Sequence, residues 1–213
     1  MPNTSPIVSS MEWRYATKKF DATKKLSKED FSEILEAARL SPSSFGLQPW
    51  KFIVVKDPKV RQSIREAAYD QSQVTEASGL MVLAVNKKIN SAYIDEYIFD
   101  IAKTRGVSPN SLKGFSDMLK NSVSGRSTEN LISWSSRQVF IALGIILETA
   151  ALKNIDACPM EGFDPKKVDE ILGLEKLSFA SLAMVAVGYR SAEDVSADYK
   201  KVRFTKEKAI MEV

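Results

Sequence analysis

The first clear pattern of apolar positions lies between Ser27 and Pro42. Apolar residues recur there at helical spacing, namely Phe31, Ile34, Leu35 and Ala38. Ser27 is a good N-cap residue, and Leu26 and Phe31 have the spacing of a hydrophobic staple around it. The residue before a proline disfavours the α region, so the helix should end before Pro42. The pattern predicts one amphipathic helix.

Three runs of apolar residues have the length and composition of β-strands. They are KFIVVK (51–56), LMVLAV (80–85) and SLAMVAVGY (181–189). The run at 80–85 is apolar on both faces, which is typical of a central strand covered on both sides. Residues 41–50, SPSSFGLQPW, contain two prolines, a glycine and three serines, and they predict a loop before the first strand.

Further helices are predicted along the rest of the chain. Asp57-Pro58 and Asp164-Pro165 each combine an N-cap with proline at the first helical position, and the first of these helices should run to about Tyr69. Gly173 stands where a C-terminal glycine cap would end the second. Residues 92–104 and 133–153 also have helical patterns, and residues 190–213 predict a C-terminal arm.

Two segments have weaker patterns. Residues 1–10 predict a flexible tail, followed by a short helix over 11–19. The stretch 106–130 contains Gly106, Pro109, Gly114 and Gly125. It predicts a mobile insertion with a short helix around Phe115.

Strands that alternate with helices indicate an α+β or α/β sandwich in a single domain. The second half of the helix at 133–153 is almost wholly apolar, and this spare surface indicates a partner subunit. The apolar run from Val139 to Leu152 is interrupted by Glu148 and is shorter than the roughly 20 residues of a membrane span. A buried helix is the better interpretation, with no membrane partner and a cytoplasmic location as the expectation.

Composition narrows the chemistry. The net charge of +3 is spread along the 213 residues, which argues against nucleic acid as a partner. The chain has no histidine and one cysteine, Cys158, so catalytic triads with histidine, histidine-containing zinc motifs and cysteine pairs are excluded. No metal site is predicted, and Cys158 is interpreted as a core residue. An enzyme of this composition would depend on a cofactor.

The common nucleotide-binding motifs are absent. No two of the nine glycines are two residues apart, so there is no G-x-G-x-x-G fingerprint, and no glycine precedes a lysine as in a P-loop. A G-x-S-x-G elbow is also absent. From its residues alone, the chain is a soluble α/β domain that could depend on a cofactor.

Four segments taken together resemble the flavin nitroreductase family. They are WRYATKKFD (13–21), LSPSSFGLQPWKFIVV (40–55), IDACPMEGFDPKKVDEILGL (155–174), and VAVGYRSAED with KKVR (185–194 and 200–203). The resemblance extends from about residue 10 to the end and is weakest between about 86 and 130. It implies a nitroreductase-like sandwich with a mostly antiparallel sheet flanked by helices. It also implies a homodimer with a domain-swapped C-terminal arm and a variable lid at about 90–130.

The resemblance also implies bound FMN, with these residues around it. Arg14, Lys201 and Arg203 would hold the phosphate, and arginine suits this because its planar fork pairs with phosphate oxygens. Lys18, Asp70 and Gln73 would lie at the pyrimidine edge. The loop of Pro42, Ser43 and Ser44 would lie along the flavin. The segment of Pro159, Met160, Glu161 and Gly162 would lie over the opposite face of the ring. Phe115 would act as a lid over the substrate. The backbone N–H of Glu161 would lie near flavin N5.

Three positions depart from the closest relatives in this resemblance. Ala16 stands where they carry serine, Tyr15 where some carry histidine, and Gln73 where they carry lysine. The implied activity is ping-pong reduction of nitroaromatics or quinones by NAD(P)H, with no catalytic side chain required. The alternatives are a flavin-destructase or dehalogenase-like enzyme of the same fold, and a non-enzymatic flavin-binding protein.

Overall fold

Four strands form one open antiparallel sheet in the computed structural model, which describes residues 5–213. Their bounds are β1 Trp50–Val54, β2 Gly79–Asn86, β3 Asp156–Met160 and β4 Phe179–Gly188. The order across the sheet is β1-β2-β4-β3, and every neighbouring pair is antiparallel. Helices pack on both faces, so the fold is α+β. This confirms the antiparallel sandwich that the resemblance implied.

The helices of the described residues follow in chain order. They are α1 Pro6–Trp13, α2 Lys28–Arg39, α3 Pro58–Ala67, α4 Gln73–Glu76, α5 Ser91–Arg105, α6 Lys113–Ser124, α7 Thr128–Leu152, α8 Pro165–Leu172 and α9 Lys206–Ala209. Short 3-10 turns lie at Ser44–Gly46, Pro109–Leu112, Glu175–Leu177 and Val195–Asp198.

The central strand β2 is buried along its whole length. Leu80 and Val82 face an apolar cluster under α3 and α8, while Met81 and Leu83 face a second cluster under α2 and α7. A strand with a core on each side cannot alternate between apolar and polar residues. The prediction of a doubly covered central strand is therefore confirmed.

Local capping residues set several helix ends as predicted. Ser27 Oγ accepts a hydrogen bond of 2.9 Å from the backbone N–H of Asp30, and α2 ends at Arg39, before Pro42. Asp164 Oδ1 accepts from the N–H of Lys166 at 3.0 Å to begin α8. Gly173 ends that helix with φ at 64°, a left-handed conformation that favours glycine.

Helix α7 is the longest helix of the described residues and begins five positions before the predicted start. Its buried side packs on the sheet and on α2. An 18-residue window of this helix has a mean hydropathy of 1.3, enough in length and composition for a membrane span, and 44% of it is buried inside the fold. The core helix of a globular domain has the same properties. Phe140, Ile141 and Leu152 remain exposed on the other side of the helix.

Helix α6 occupies the middle of the stretch 106–130 that was predicted to be a mobile insertion. The short helix expected around Phe115 is confirmed, but it packs into a third apolar cluster with α5 and α7. Phe115, Leu119 and Val123 recur every four residues along this face, a helical period that the glycines at either end obscured. Helix α6 is therefore a packed element of the fold.

The N-terminal predictions were wrong. Ser5 caps α1, which begins at Pro6 and ends at Trp13, so residues 5–10 are not a flexible tail and 11–19 is not a helix. Residues 1–4 lie outside the described residues. After Trp13 the chain is extended, because the N–H of Thr17 donates to the carbonyl of Ala157 on β3 at 3.3 Å. This pairing with a distant edge strand overrides the local helical pattern.

Candidate functional site

A cavity of about 500 Å³ lies between the extended N-terminal segment and the C-terminal arm. Six residues that the sequence singled out line it, namely Arg14, Tyr15, Ala16, Lys18, Lys201 and Arg203. Their neighbours in the wall are Glu12, Trp13, Ser196, Ala197, Tyr199 and Lys200. The structure thus brings together residues from the two ends of the chain, nearly 190 positions apart.

Three cations in this cavity face one another. Burial, and then the charge of Arg203, lowers the pKa of Arg14. Burial, and then the charges of Arg14 and Arg203, lowers the pKa of Lys201. The Nε atom of Arg14 is buried and has no hydrogen-bond partner among residues 5–213. A polyvalent anion with several oxygens would offset the repulsion between these cations and would accept a hydrogen bond from Arg14 Nε. The side chains present therefore fit a phosphate group.

Asp194 fixes the backbone that carries these residues. Its Oδ2 accepts hydrogen bonds from the N–H of Lys18 at 2.8 Å, from the N–H of Lys19 at 3.2 Å and from the hydroxyl of Tyr15 at 2.9 Å. Burial acts to raise the pKa of Asp194, but these donors hold it below its usual value. Burial and the bond to Asp194 raise the pKa of Tyr15 to about 12. Tyr15 is therefore a neutral donor that positions the segment.

Arg190 supports the same segment from beneath. Asp156 on β3 is buried, and it accepts from the Arg190 N–H at 2.8 Å and from its Nε at 2.7 Å. The guanidinium lies 4.4 Å from the ring centre of Trp13 and 4.6 Å from that of Tyr15. Arg190 stacks on two aromatic rings and pairs with a carboxylate. These contacts fix the position at which α1 ends and the extended segment begins.

The arm closes the cavity on its own chain. The Lys201 ammonium donates to the carbonyl oxygens of Met11 and Arg14 at the end of α1, where cations interact favourably with the helix dipole. Together with the contacts of Asp194, this docks residues 194–203 in cis. A swapped arm would therefore have to consist of the residues after Arg203.

A second group of predicted residues gathers around Cys158. The thiol is buried, which raises its pKa, and the charge of Lys18 and a hydrogen bond with Gln73 act in the opposite direction. Gln73 is itself buried. Cys158 is a core residue of β3, as predicted. Asp70 has an exposed side chain paired with Arg65 at 3.3 Å and does not line the cavity.

The turn after β3 presents backbone donors. Pro159 and Met160 end the strand, and Glu161 and Gly162 are exposed. Within residues 5–213, the N–H groups of Glu161 and Gly162 have no hydrogen-bond acceptor. Gln71, two residues before Gln73, donates from Nε2 to the Gly162 carbonyl at 2.7 Å. This bond holds the turn beside the segment that carries Gln73.

Several predicted site residues do not line the cavity of this chain, namely Asp70, Gln73, the Pro159–Gly162 segment, the Pro42–Ser44 loop and Phe115. Phe115 packs in the third apolar cluster, with α5 and α6, and the loop of Pro42, Ser43 and Ser44 leads into Leu47 of the same cluster. Ser44 N–H donates to Gln138 Oε1 on α7 at 2.9 Å. A single chain therefore assembles the phosphate-type half of the predicted site and keeps the loop and the lid in a separate place.

Sequence reasoning missed Asp194 and Arg190 as positioning residues. Both lie in the VAVGYRSAED segment, but nothing in that string says that they reach residues 13–19. Among residues 5–213, the structure contains no grouping of three or more histidine, cysteine, aspartate or glutamate side chains that could hold a metal ion.

Comparison with known proteins gives consistent matches. The nitroreductase family model matches residues 11–189. A candidate NAD(P)H nitroreductase of Staphylococcus saprophyticus is 38% identical over 195 residues, 88% of this chain and 89% of that protein. A Staphylococcus aureus relative with the same description is 39% identical over 195 residues, which span 88% of this chain and 87% of that protein.

Solved structures with the same fold are more distant in sequence. A candidate NAD(P)H:FMN oxidoreductase of Staphylococcus epidermidis superposes with a TM-score of 0.85 at 19% identity, covering 100% of this chain and 98% of that one. A candidate nitroreductase of Exiguobacterium sibiricum, solved in complex with FMN, superposes with a TM-score of 0.82 at 22% identity and covers 99% and 98%.

Proposed function

The chain belongs to the nitroreductase family, and on that premise we propose that it is an FMN-dependent NAD(P)H oxidoreductase that reduces nitroaromatic or quinone acceptors. The observation that carries the proposal is the cavity of Arg14, Lys201 and Arg203, with a buried Arg14 Nε that has no partner among residues 5–213. The names of the relatives and the FMN complex of a neighbour agree with it.

In this proposal each group of residues has a separate task. Arg14, Lys201 and Arg203 bind the phosphate, and Asp194 and Arg190 hold the backbone that presents them. Lys18 and Gln73 face the pyrimidine edge. The N–H groups of Glu161 and Gly162 stabilise the charge that develops near flavin N5. When bound, FMN supplies hydride transfer from NAD(P)H and two-electron reduction of the acceptor, so no side-chain acid or base is required.

The departures at positions 15 and 16 fit this arrangement. The Tyr15 hydroxyl is occupied by Asp194, so it does not replace a phosphate ligand. Ala16 pairs with Ala157 on β3 through its backbone, which does not need a hydroxyl. The lost serine bond is worth only about 0.5–1.5 kcal/mol, which three cations outweigh.

The complete site needs a second copy of the chain. Pro42–Ser44 and Phe115 do not line the cavity of their own chain, and α7 exposes Phe140 and Ile141. After Arg203, the arm exposes Phe204, Ile210 and Met211. A homodimer that covers α7, swaps the arm beyond Arg203 and brings the loop of one copy to the flavin of the other accounts for all of these surfaces.

The test combines a spectrum with turnover. We expect the purified protein to show the visible absorption of bound flavin, to bleach with NADH or NADPH and to recover with nitrofurazone or a quinone. Initial rates with both substrates varied should give the parallel lines of ping-pong kinetics. A colourless protein that takes up no added FMN would overturn the proposal. Turnover of halogenated tyrosine in place of nitro and quinone acceptors would instead indicate the dehalogenase-like alternative.

A further inference from the structure

The turn between α2 and β1 contains an unusual backbone conformation. Phe45 has φ at 58° and Gln48 has φ at 48°, both in the left-handed region, and Gly46 between them has φ at 72°. Bulky residues rarely adopt this region, because the side chain approaches the backbone carbonyl. Such a conformation persists only where the surrounding structure imposes it.

Two tyrosines of α5 impose it from one side. The Tyr97 hydroxyl donates to the carbonyl of Phe45 at 3.0 Å. The Tyr93 hydroxyl lies 2.7 Å from the carbonyl of Leu47 and 3.0 Å from that of Gln48. The carbonyls of Phe45, Leu47 and Gln48 thus lie within hydrogen-bond reach of hydroxyls of one helix.

The other side of the turn is held by α7 and by the turn itself. The N–H of Ser44 donates to Gln138 Oε1 at 2.9 Å, and the N–H of Gln48 donates to Ser43 Oγ at 2.9 Å. Gln138 is buried, so its carbonyl oxygen is a fixed acceptor.

Gly46 permits the contact with Tyr97. A Cβ atom at position 46 would lie 2.3 Å from Tyr97 Oη, closer than any real contact. A side chain there would displace the tyrosine, and the hydrogen bond to Phe45 would be lost. Gly46 and Tyr97 therefore together determine the backbone conformation of Phe45.

In this conformation the ring of Phe45 is partly exposed to solvent. Phe45 is 41% exposed, although burial of the ring would stabilise the fold. The rest of the side chain lines an apolar cleft with Leu119 and Trp134, in the cluster against which Phe115 packs. A strained backbone that holds an apolar ring at the surface indicates that the ring has a ligand.

The geometry points to Phe45 as the residue that contacts the electron acceptor, by stacking on a planar aromatic ring, with Tyr97 and Gly46 as positioning residues. The inference rests on the proposed function, in which the Pro42–Ser44 loop of one copy lies along the flavin of the other. It assigns acceptor selectivity to a single side chain. Planar nitroaromatics and quinones gain the stacking contact, whereas a compact inorganic oxidant does not.

The experiment uses the FMN-loaded protein and four variants. Phe45→Asn removes the ring but keeps a residue that tolerates the left-handed region, and Phe45→Tyr restores a planar ring. Tyr97→Phe removes only the hydroxyl that fixes Phe45. Phe99→Asn is the matched control, because Phe99 is an exposed phenylalanine of α5 outside this cluster. For each variant, KM and kcat are measured with menadione and with ferricyanide, together with FMN affinity.

We expect Phe45→Asn to raise the KM for menadione by roughly threefold to tenfold, the range for an aromatic contact, with a much smaller change for ferricyanide. Phe45→Tyr should restore the wild-type KM, Tyr97→Phe should show part of the loss, and Phe99→Asn none. An unchanged menadione KM in Phe45→Asn, or equal changes for both oxidants, would overturn the inference while leaving the proposed function standing. Failure of the wild-type protein to bind FMN would overturn both.

Discussion

The cationic cavity and the turn that carries Phe45 are held in place by different kinds of contact. Residues 14–18 of the cavity wall are fixed by Asp194 and Arg190, which follow β4 and lie more than 170 positions away in the chain. The turn at 43–48 is fixed mainly by hydroxyls of α5, about 50 positions away. Charged groups hold the cavity wall, whereas neutral hydroxyls hold the turn in a strained backbone conformation beside an apolar cluster.

This difference indicates what each region requires. A phosphate is small and charged, so its site needs fixed donors, and in the proposed function one chain provides Arg14, Lys201 and Arg203 for it. A variable aromatic acceptor needs a shaped apolar surface, and that surface lies elsewhere in the same chain. The comparison predicts that changes in the first region affect cofactor binding and changes in the second affect acceptor selectivity.

The largest expected effect is on stability, at the base of the cavity. Asp156→Ala would leave Arg190 without its buried partner, and the loss of one member of such a pair costs about 3 kcal/mol or more. Urea denaturation of the purified protein measures it. Lys113→Ala, which breaks an exposed pair with Asp117, should cost less than about 1 kcal/mol. Equal losses in the two variants would mean that Asp156 and Arg190 do not support the cavity.

A change at the cavity wall should affect the cofactor and not the fold. Arg203 is exposed and its guanidinium is bonded only to its neighbour's carbonyl within the described residues, so its removal should leave the unfolding midpoint unchanged. A charge-assisted bond is worth about 1.5–3 kcal/mol, so Arg203→Ala should weaken FMN binding by roughly tenfold to a hundredfold. Lys206→Ala, on the same arm beyond the cavity, is the control for net charge. If both variants bind FMN equally, Arg203 is not a phosphate ligand.

A change in the strained turn should lower the stability of the fold and leave FMN binding nearly unchanged. Gly46→Ala places a Cβ against Tyr97 Oη in a residue with positive φ, and the left-handed region costs a non-glycine residue about 1–2 kcal/mol. We expect that loss of stability with FMN affinity nearly unchanged. Gly114→Ala is the control, because nothing lies near its Cβ position and alanine favours the helix. A Gly46→Ala protein as stable as the wild type would show that neither the positive φ of residue 46 nor the contact with Tyr97 Oη constrains the turn.

The smallest expected effect is on redox tuning. Gln73 is buried beside Cys158, near Lys18. A lysine at this position would attract the negative charge that reduction leaves on the flavin, and about 1.4 kcal/mol of differential stabilisation corresponds to roughly 30 mV for a two-electron couple. We expect Gln73→Lys to raise the potential by about that amount in a dye-coupled titration, and Gln73→Ala to change it less. An unchanged or lower potential in the lysine variant would place Gln73 away from the pyrimidine edge.

Local patterns were enough to predict most of the fold. The caps at Ser27, Asp164 and Gly173 and the double burial of 80–85 depend on neighbours in sequence, and the structure agrees with them. Local patterns failed at residues 11–19, because backbone pairing with Ala157 decides the conformation there. They also failed to detect the packing of α6, because glycines near its two ends resembled loop residues.

The site was predictable only through the resemblance. It selected six of the residues that line the cavity, which come from two short segments at opposite ends of the chain. It did not indicate Asp194 or Arg190, whose role depends on contacts across the chain. Nor could any pattern show that Pro42–Ser44 and Phe115 stand apart from the cavity of their own chain, since that separation belongs to the tertiary structure.

The central claim is that Arg14, Lys201 and Arg203 bind a flavin through its phosphate. The most direct measurement compares the affinities of the cofactor-free protein for FMN and for riboflavin, which differ only in that phosphate, by fluorescence titration at low and high salt. Three charge-assisted contacts should favour FMN by at least about a hundredfold, and the preference should fall as salt increases. Equal affinity for the two flavins, or a preference independent of salt, would contradict the account.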